Sequence, residues 1–103
     1  MSQTHNIHLS FNNVGLAGQA YGTYTWLYQV EPTLVYNHFQ KGDYINLYWD
    51  PEVDIVTSSF LIGFFQEIAK EIGYDGVVKY IKIHSQRNLI SKDGNALTIQ
   101  DIH

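Results

Sequence analysis

Apolar and polar residues alternate with a period of two in three short stretches of the chain. The stretches cover residues 6–12, 44–49 and 77–84. Their apolar positions are Ile7, Leu9 and Phe11, then Ile45, Leu47 and Trp49, then Ile81 and Ile83. Because successive side chains of a strand point to opposite faces, this alternation predicts three strands that each bury one face. The second stretch also carries Tyr44 and Tyr48 on its other face, which is typical of an interior strand covered on both sides.

Residues 58–72 follow the helical period instead. Apolar side chains recur at the three- and four-residue spacings of one helix face: Leu61, Phe64, Phe65, Ile68 and Ile72. Thr57 or Ser58 can accept a hydrogen bond from the first free N–H groups, and Gly73 can end the helix in a left-handed conformation. A glycine inside the helix, Gly63, costs about 1 kcal/mol relative to alanine. It therefore indicates a close approach of this helix to the sheet or to a partner.

Two stretches nearer the N-terminus have weaker patterns. A short helix is predicted over residues 32–41, because Pro32 suits the first helical position and Gly42 is a suitable stop. Residues 16–30 combine two glycines with a run rich in threonine and aromatic residues, which favours a strand or an extended loop. A helix that opens near Ala17 is the alternative for this stretch.

The order of these elements predicts the fold class. A strand, a helix and a strand in succession between residues 44 and 84 imply a right-handed parallel crossover. Beyond them, residues 88–91 suit a helical turn, and 97–102 suit a final strand or a helix. A chain of 103 residues has room for one modest core. We therefore predict an α/β fold, with residues 1–103 as a single domain in which helices pack on a mixed sheet.

Composition limits the classes of function. The apolar fraction of 45% and the charged fraction of 16% are those of a globular protein. No run approaches the ~18 apolar residues of a membrane span, and the first residues do not resemble a secretory signal, so we expect a cytoplasmic protein with no membrane contact. The net charge of −4 argues against direct binding to nucleic acid. The chain has no cysteine, which excludes a disulfide and a thiol nucleophile.

An acidic turn follows the central predicted strand, with carboxylates at Asp50, Glu52 and Asp54. Ligands of α/β sheets bind where strands end, and carboxylates are ligands for Mg²⁺, so a metal site is one interpretation. A solvated turn is the simpler one, because the chain lacks a glycine-rich phosphate loop. We therefore expect no metal and no cofactor.

Histidine and serine do not form a recognisable catalytic motif. His5 and His8 are close in sequence, but this spacing without a second pair is a weak metal signal, and both are expected at the surface. The Thr57–Phe60 segment lacks the glycines that flank a serine nucleophile in hydrolases. We expect no catalytic residue, and hence a protein that is not an enzyme.

The start of the long predicted helix carries adjacent serines, Ser58 and Ser59. Capping is the simpler role for Ser59, as for its neighbours. A helix N-terminus also tolerates a phosphate, since its free N–H groups carry a partial positive charge. A phosphoserine would add about −1.5 to −2 charges near the acidic turn, which could act as a binding switch.

The segment INLYWDPEVDIVTSSFLIGFFQEIAKEIG, residues 45–73, resembles the core of STAS-type domains, the fold of the anti-sigma-factor antagonists. In those proteins a strand leads through an Asp-Ser-Ser-Gly-like turn into a helix, and the second serine is phosphorylated. The segment is more similar to an uncharacterised STAS-like family whose turn reads Ser-Ser-Phe. The resemblance implies a small STAS-like sandwich with Ser59 at the phosphoacceptor position. Thr57 stands where the antagonists have aspartate, and Phe60 where they have glycine.

The resemblance implies a non-enzymatic regulatory module. It would bind a protein partner, a histidine-kinase-like ATPase, through the N-terminus of helix 58–72. The residues at this surface would be Thr57, Ser58, Ser59 and Phe60. The alternative is a small acidic inhibitor, such as a phage-encoded one, of a nucleic-acid or defence enzyme. Residues 1–40 support it, because they are rich in tyrosine and hold a single formal charge, Glu31. The aromatic content of 15% also indicates an exposed contact face, so a homodimer is a further expectation.

Overall fold

The computed structural model describes residues 2–13, 15–53, 55–85, 89–90 and 96–97. The strands are β1 (Thr4–His8), β2 (Gly15–Leu16), β3 (Tyr44–Tyr48), β4 (Ile55–Val56), β5 (Ile81–His84), β6 (Leu89–Ile90) and β7 (Ala96–Leu97). The helices are α1 (Gln19–Thr25), α2 (Glu31–Tyr36) and α3 (Ser58–Tyr80), and a π-helical segment (Trp26–Val30) joins the first two. None of these helices is long and apolar enough to span a membrane.

The strands form two sheets, and in each sheet neighbouring strands follow the order of the chain. One sheet is β1-β3-β5, which is parallel throughout. The other is β2-β4-β6-β7, in which only the β6–β7 pair is antiparallel. Thr4 pairs with Tyr44 and Gly15 pairs with Ile55, so partners are forty residues apart in both sheets. The segment from β1 to β2 and the segment from β3 to β4 therefore have the same length between their paired strands. The predicted α/β class with a mixed sheet is confirmed, and so is the parallel pairing of the strands on either side of the long helix.

One face of the β1-β3-β5 sheet lies in the core. All the predicted inward positions of these strands are buried except Phe11, which packs against the core from a half-buried position. The other face is open in the described part of the chain. Tyr44 is 42% exposed, and His8, Tyr48 and His84 stack across the three strands at 4.7 and 4.8 Å between ring centroids. The prediction that β3 is covered on both faces is therefore wrong for the described residues.

The stretch 16–30, for which we preferred a strand or an extended loop, is mostly helical, so the alternative of a helix that opens near Ala17 is closer to the structure. The reason is its contact with α3. A β-carbon on Gly22 would overlap the carbonyl oxygen of Phe60, and one on Gly63 would overlap that of Gln19. Thr23 Oγ1 also donates a hydrogen bond to the Gly63 carbonyl at 3.1 Å. The two glycines let the helix backbones touch. Gly63 thus does mark a close approach, but the approach is to helix α1 and not, as predicted from the sequence, to the sheet or a partner. Residues that lower helix propensity are here required by packing.

Helix α2 ends earlier than predicted, at Tyr36 rather than near residue 41. The Phe39 N–H donates to Leu34 O at 2.9 Å and the His38 N–H donates to Val35 O at 3.1 Å. This is the Schellman arrangement, and His38 occupies its left-handed position with a φ of 56°. Gly42 instead takes a φ of 95° in the turn in which the Asp43 N–H donates to Gln40 O at 3.0 Å.

Helix α3 is interrupted at Gly73, whose φ of 74° and ψ of 165° are not helical, as predicted. The chain then continues as helix to Tyr80, so the predicted strand 77–84 begins only at Ile81. Val77 is buried and Val78 is exposed, a short pattern that fits a strand as well as a helix. The helical turn predicted for 88–91 is wrong at residues 89–90, which form β6 and pair with β4 and β7. Of the predicted element 97–102, only Leu97 is described, as the last residue of β7, and the rest lies outside the described residues.

Candidate functional site

The N-terminus of α3 is capped by Thr57. Its Oγ1 accepts a hydrogen bond from the Phe60 N–H at 3.2 Å, and its own N–H donates to Leu16 O at 2.9 Å. Of the two caps that the sequence allowed, the structure uses Thr57. Ser58 is exposed, and its side chain makes no hydrogen bond to the described residues.

Ser59 joins two parts of the fold. Its Oγ lies 3.0 Å from Thr57 Oγ1 and accepts a hydrogen bond from the Gly18 N–H at 3.3 Å. Gly18 immediately precedes α1 and has a φ of 94°, a conformation that favours glycine. Ser59 is therefore not the cap that the simpler interpretation predicted. It is an exposed hydroxyl at the junction between the starts of α1 and α3.

Phe60, the fourth residue predicted at this surface, is fully buried. Its ring packs edge-on against Tyr21 at 5.4 Å and against Trp49 at 6.2 Å, and it stacks on Phe64 at 5.8 Å between centroids. The described structure places this side chain in the aromatic core and not on a partner-binding surface.

In the acidic turn, the side chain of Asp50 stabilises the backbone. Its carboxylate accepts hydrogen bonds from the Glu52 N–H and the Phe11 N–H, each at 2.9 Å. These two N–H groups lower the pKa of Asp50 below its ordinary value. Glu52 is exposed, and Asp54 lies outside the described residues. Among the residues that the structure describes, no group of three or more histidine and acidic side chains could hold a metal ion.

His5 and Asp43 form a buried pair of ionisable residues that was not predicted from the sequence. They are 4% and 2% exposed, and His5 Nε2 lies 3.0 Å from Asp43 Oδ2. The Gln3 N–H donates to Oδ1 and the Gln40 N–H to Oδ2, each at 2.9 Å. The Gln3 N–H, the His5 ring and the Gln40 N–H, in that order, lower the pKa of Asp43 to about 2.

The expectation that His5 is on the surface is wrong, whereas His8 is exposed as predicted. A sequence signal existed, because His5 shares the period-two register of the inward-facing Ile7 and Leu9. Burial of a histidine needs a partner, and its partner Asp43 lies far along the chain, directly before β3.

A groove of about 320 Å³ lies between α2, the turn that follows it and the middle of α3. Its walls combine apolar side chains with three glutamates, Glu31, Glu67 and Glu71. The residues come from separate parts of the chain, so no local pattern indicated this groove.

Comparisons of this chain with protein-family models, with curated proteins and with solved structures give no match. The resemblance to STAS-type domains therefore stays a prediction.

Proposed function

We propose that this chain is a non-enzymatic protein-interaction module that binds a protein partner through the N-terminal end of α3. The observation that supports this proposal is the position of Ser59. Its exposed hydroxyl contacts both the cap residue of α3 and the N–H of Gly18 before α1. A change at Ser59 therefore acts at the junction of two helices whose backbones touch.

Phosphorylation of Ser59 is the regulatory step that the resemblance implies. The phosphate would add about −1.5 to −2 charges at an exposed position. The start of α3 tolerates this charge, because the free N–H groups of a long helix carry a partial positive charge. The fold would then persist while the charge of the docking surface changes. A histidine-kinase-like ATPase is the partner class that the same resemblance implies.

The test compares Ser59→Glu with the wild type and with Ser58→Glu, a matched control one residue away. Each protein is used to capture a purified histidine-kinase-like ATPase from the same host. We expect the wild type and Ser58→Glu to bind, and Ser59→Glu to bind at least about tenfold more weakly. Melting temperatures within about 2 °C of each other would show that the fold is intact.

Equal binding by the wild type and Ser59→Glu contradicts the switch. Failure of the wild type to bind any such ATPase contradicts the partner class. Equal loss of binding in Ser58→Glu would mean that added charge anywhere on this surface suffices, and it would remove the special role of Ser59.

An aromatic ridge supports a second function, inhibition of a nucleic-acid or defence enzyme. Tyr24 and Tyr28 are 58% and 64% exposed, and their rings stack at 4.1 Å between centroids. Leu27 is exposed beside them. Large, rigid aromatic side chains are typical anchors of protein interfaces. If the ridge is the contact, Tyr28→Ala abolishes inhibition of the target enzyme and Ser59→Glu does not. A homodimer through the same ridge would separate into monomers in Tyr28→Ala, as measured by sedimentation.

A further inference from the structure

We propose that the groove between α2 and α3 binds a small organic cation, an ammonium group attached to an apolar body. The proposal is independent of the partner-binding surface at Ser59. The groove has a volume of about 320 Å³, which is at the lower end of the range of ~300–1,000 Å³ for small-molecule sites.

The apolar part of the groove has a buried floor and an accessible rim. Trp26, Leu34 and Ile68 line the floor and are no more than 5% exposed. Phe39 is half-buried, and the Schellman bond from its N–H to Leu34 O at 2.9 Å fixes its position over the end of α2. Val35 lines the rim and is 68% exposed. An apolar ligand body would cover this accessible surface.

The charged part of the groove is negative. Three glutamates line it, and the described lining residues include no lysine or arginine. Lys70 pairs with Glu67 at 3.3 Å, but the Lys70 side chain is largely exposed and does not line the groove. Glu31 and Glu71 make no ion pair with the described residues. Two carboxylates thus face the groove region without a counterion from the described chain, and they favour a cationic ligand.

Other ligand classes fit less well. An anion would meet three carboxylates. A hydrated metal ion would gain nothing from the apolar floor, and the described glutamates do not converge as a metal site. A neutral apolar molecule would leave the two glutamates unpaired, as they are now. An ammonium ion with an apolar body uses both parts of the groove.

The experiment uses three probes with a similar phenyl body and different charge. They are 2-phenylethylamine (cation), 2-phenylethanol (neutral) and 3-phenylpropanoate (anion). Binding to the full chain is followed by ¹H–¹⁵N NMR at low salt, with the indole N–H of Trp26 as a reporter at the floor. We expect saturable binding of the amine, at least about tenfold tighter than binding of the alcohol, and no binding of the acid. Added salt should weaken the amine complex.

Variants test whether the carboxylates of the groove attract the amine. Glu31→Gln/Glu71→Gln should weaken binding of the amine at least about fivefold, while Glu52→Gln, an exposed glutamate outside the groove, should change it less than about twofold. Equal affinity for amine and alcohol, no saturable binding of the amine, or an unchanged affinity in the double variant would each overturn the proposal. Tighter binding of a lysine-containing peptide than of the amine would also overturn it, since the groove would then receive a side chain of a protein partner.

Discussion

The two ends of strand β3 use the same residue type in different surroundings. Asp43 precedes the strand and Asp50 follows it, and each carboxylate accepts backbone N–H groups from two separate segments. Asp43 is buried, which by itself would raise its pKa, but the Gln3 N–H, the His5 ring and the Gln40 N–H together lower that pKa to about 2. Asp50 is half-buried, and only backbone N–H groups lower its pKa.

The two ends of β3 therefore differ in how well they tolerate substitutions. At the first end, the His5 and Asp43 side chains are both buried, so loss of their hydrogen bond leaves a buried polar group unsatisfied and the pair is part of the fold. At the second end, Asp50, Ser58 and Ser59 are at least partly accessible, so changes there alter the surface more than the stability. A rigid constraint near that end is the close contact between the backbones of α1 and α3. The following predictions test this difference.

Gly63→Ala should have the largest effect. Its β-carbon would overlap the carbonyl oxygen of Gln19, and backbone cannot move aside as a flexible side chain can. We expect a loss of about 3 kcal/mol in the free energy of unfolding, measured by urea denaturation. Gly15→Ala is the control, because a β-carbon there meets nothing within 4 Å. Equal stability of the two variants would contradict the close helix contact.

Asp43→Asn should be the next most destabilising change. Asparagine has one acceptor oxygen, whereas the carboxylate accepts from Gln3, Gln40 and His5 through two. At least one of the two backbone N–H groups would lose its acceptor, next to the buried His5 side chain. We expect the melting temperature to fall by roughly 10 °C.

Asp50→Asn provides the matched comparison with Asp43→Asn. It also removes one acceptor oxygen, but Asp50 is only half-buried and its bond from the Glu52 N–H is exposed, so water can replace part of what is lost. The fall in melting temperature should be less than half that of Asp43→Asn. Equal losses at the two ends would contradict the distinction between them.

The pH dependence of stability should sharpen the same comparison. The pKa of Asp43 in the folded state, about 2, is below its ordinary value of 3.8. The unfolded state therefore binds the proton first as the pH falls, and the contribution of the carboxylate is complete above about pH 4 and is lost between pH 4 and pH 2. Urea denaturation across this range should show a steep loss in the wild type and a shallower one in Asp43→Asn. Parallel curves would contradict the lowered pKa.

His38→Gly should have the smallest effect, and its sign is opposite. The left-handed conformation at a φ of 56° strains a residue with a β-carbon by about 1 kcal/mol. The greater freedom of glycine in the unfolded state offsets part of the gain, so we expect a stabilisation of about 0.5 kcal/mol. Asn37→Gly, at a φ of −91°, should be destabilising instead.

Much of the central motif could be predicted from local pattern. The alternation in β3 and the apolar stripe that begins at Leu61 each repeat often enough to identify the period, and Gly73 breaks α3 as expected. The site was predicted less well. Thr57 caps the helix, but Ser59 contacts Gly18 instead of capping, and Phe60 is in the core. Whether Ser59 is a switch stays a prediction.

The sequence by itself determined the α/β class, the inward faces of β1, β3 and β5, and the long helix, because these depend on residues that are neighbours along the chain. Only the tertiary structure decided that residues 19–25 are helical, since their glycines are explained by the backbone of α3. It also decided that His5 is buried, because Asp43 satisfies it from the start of the neighbouring strand β3. Contacts between distant segments change the free energy of a local conformation, and no local pattern contains them.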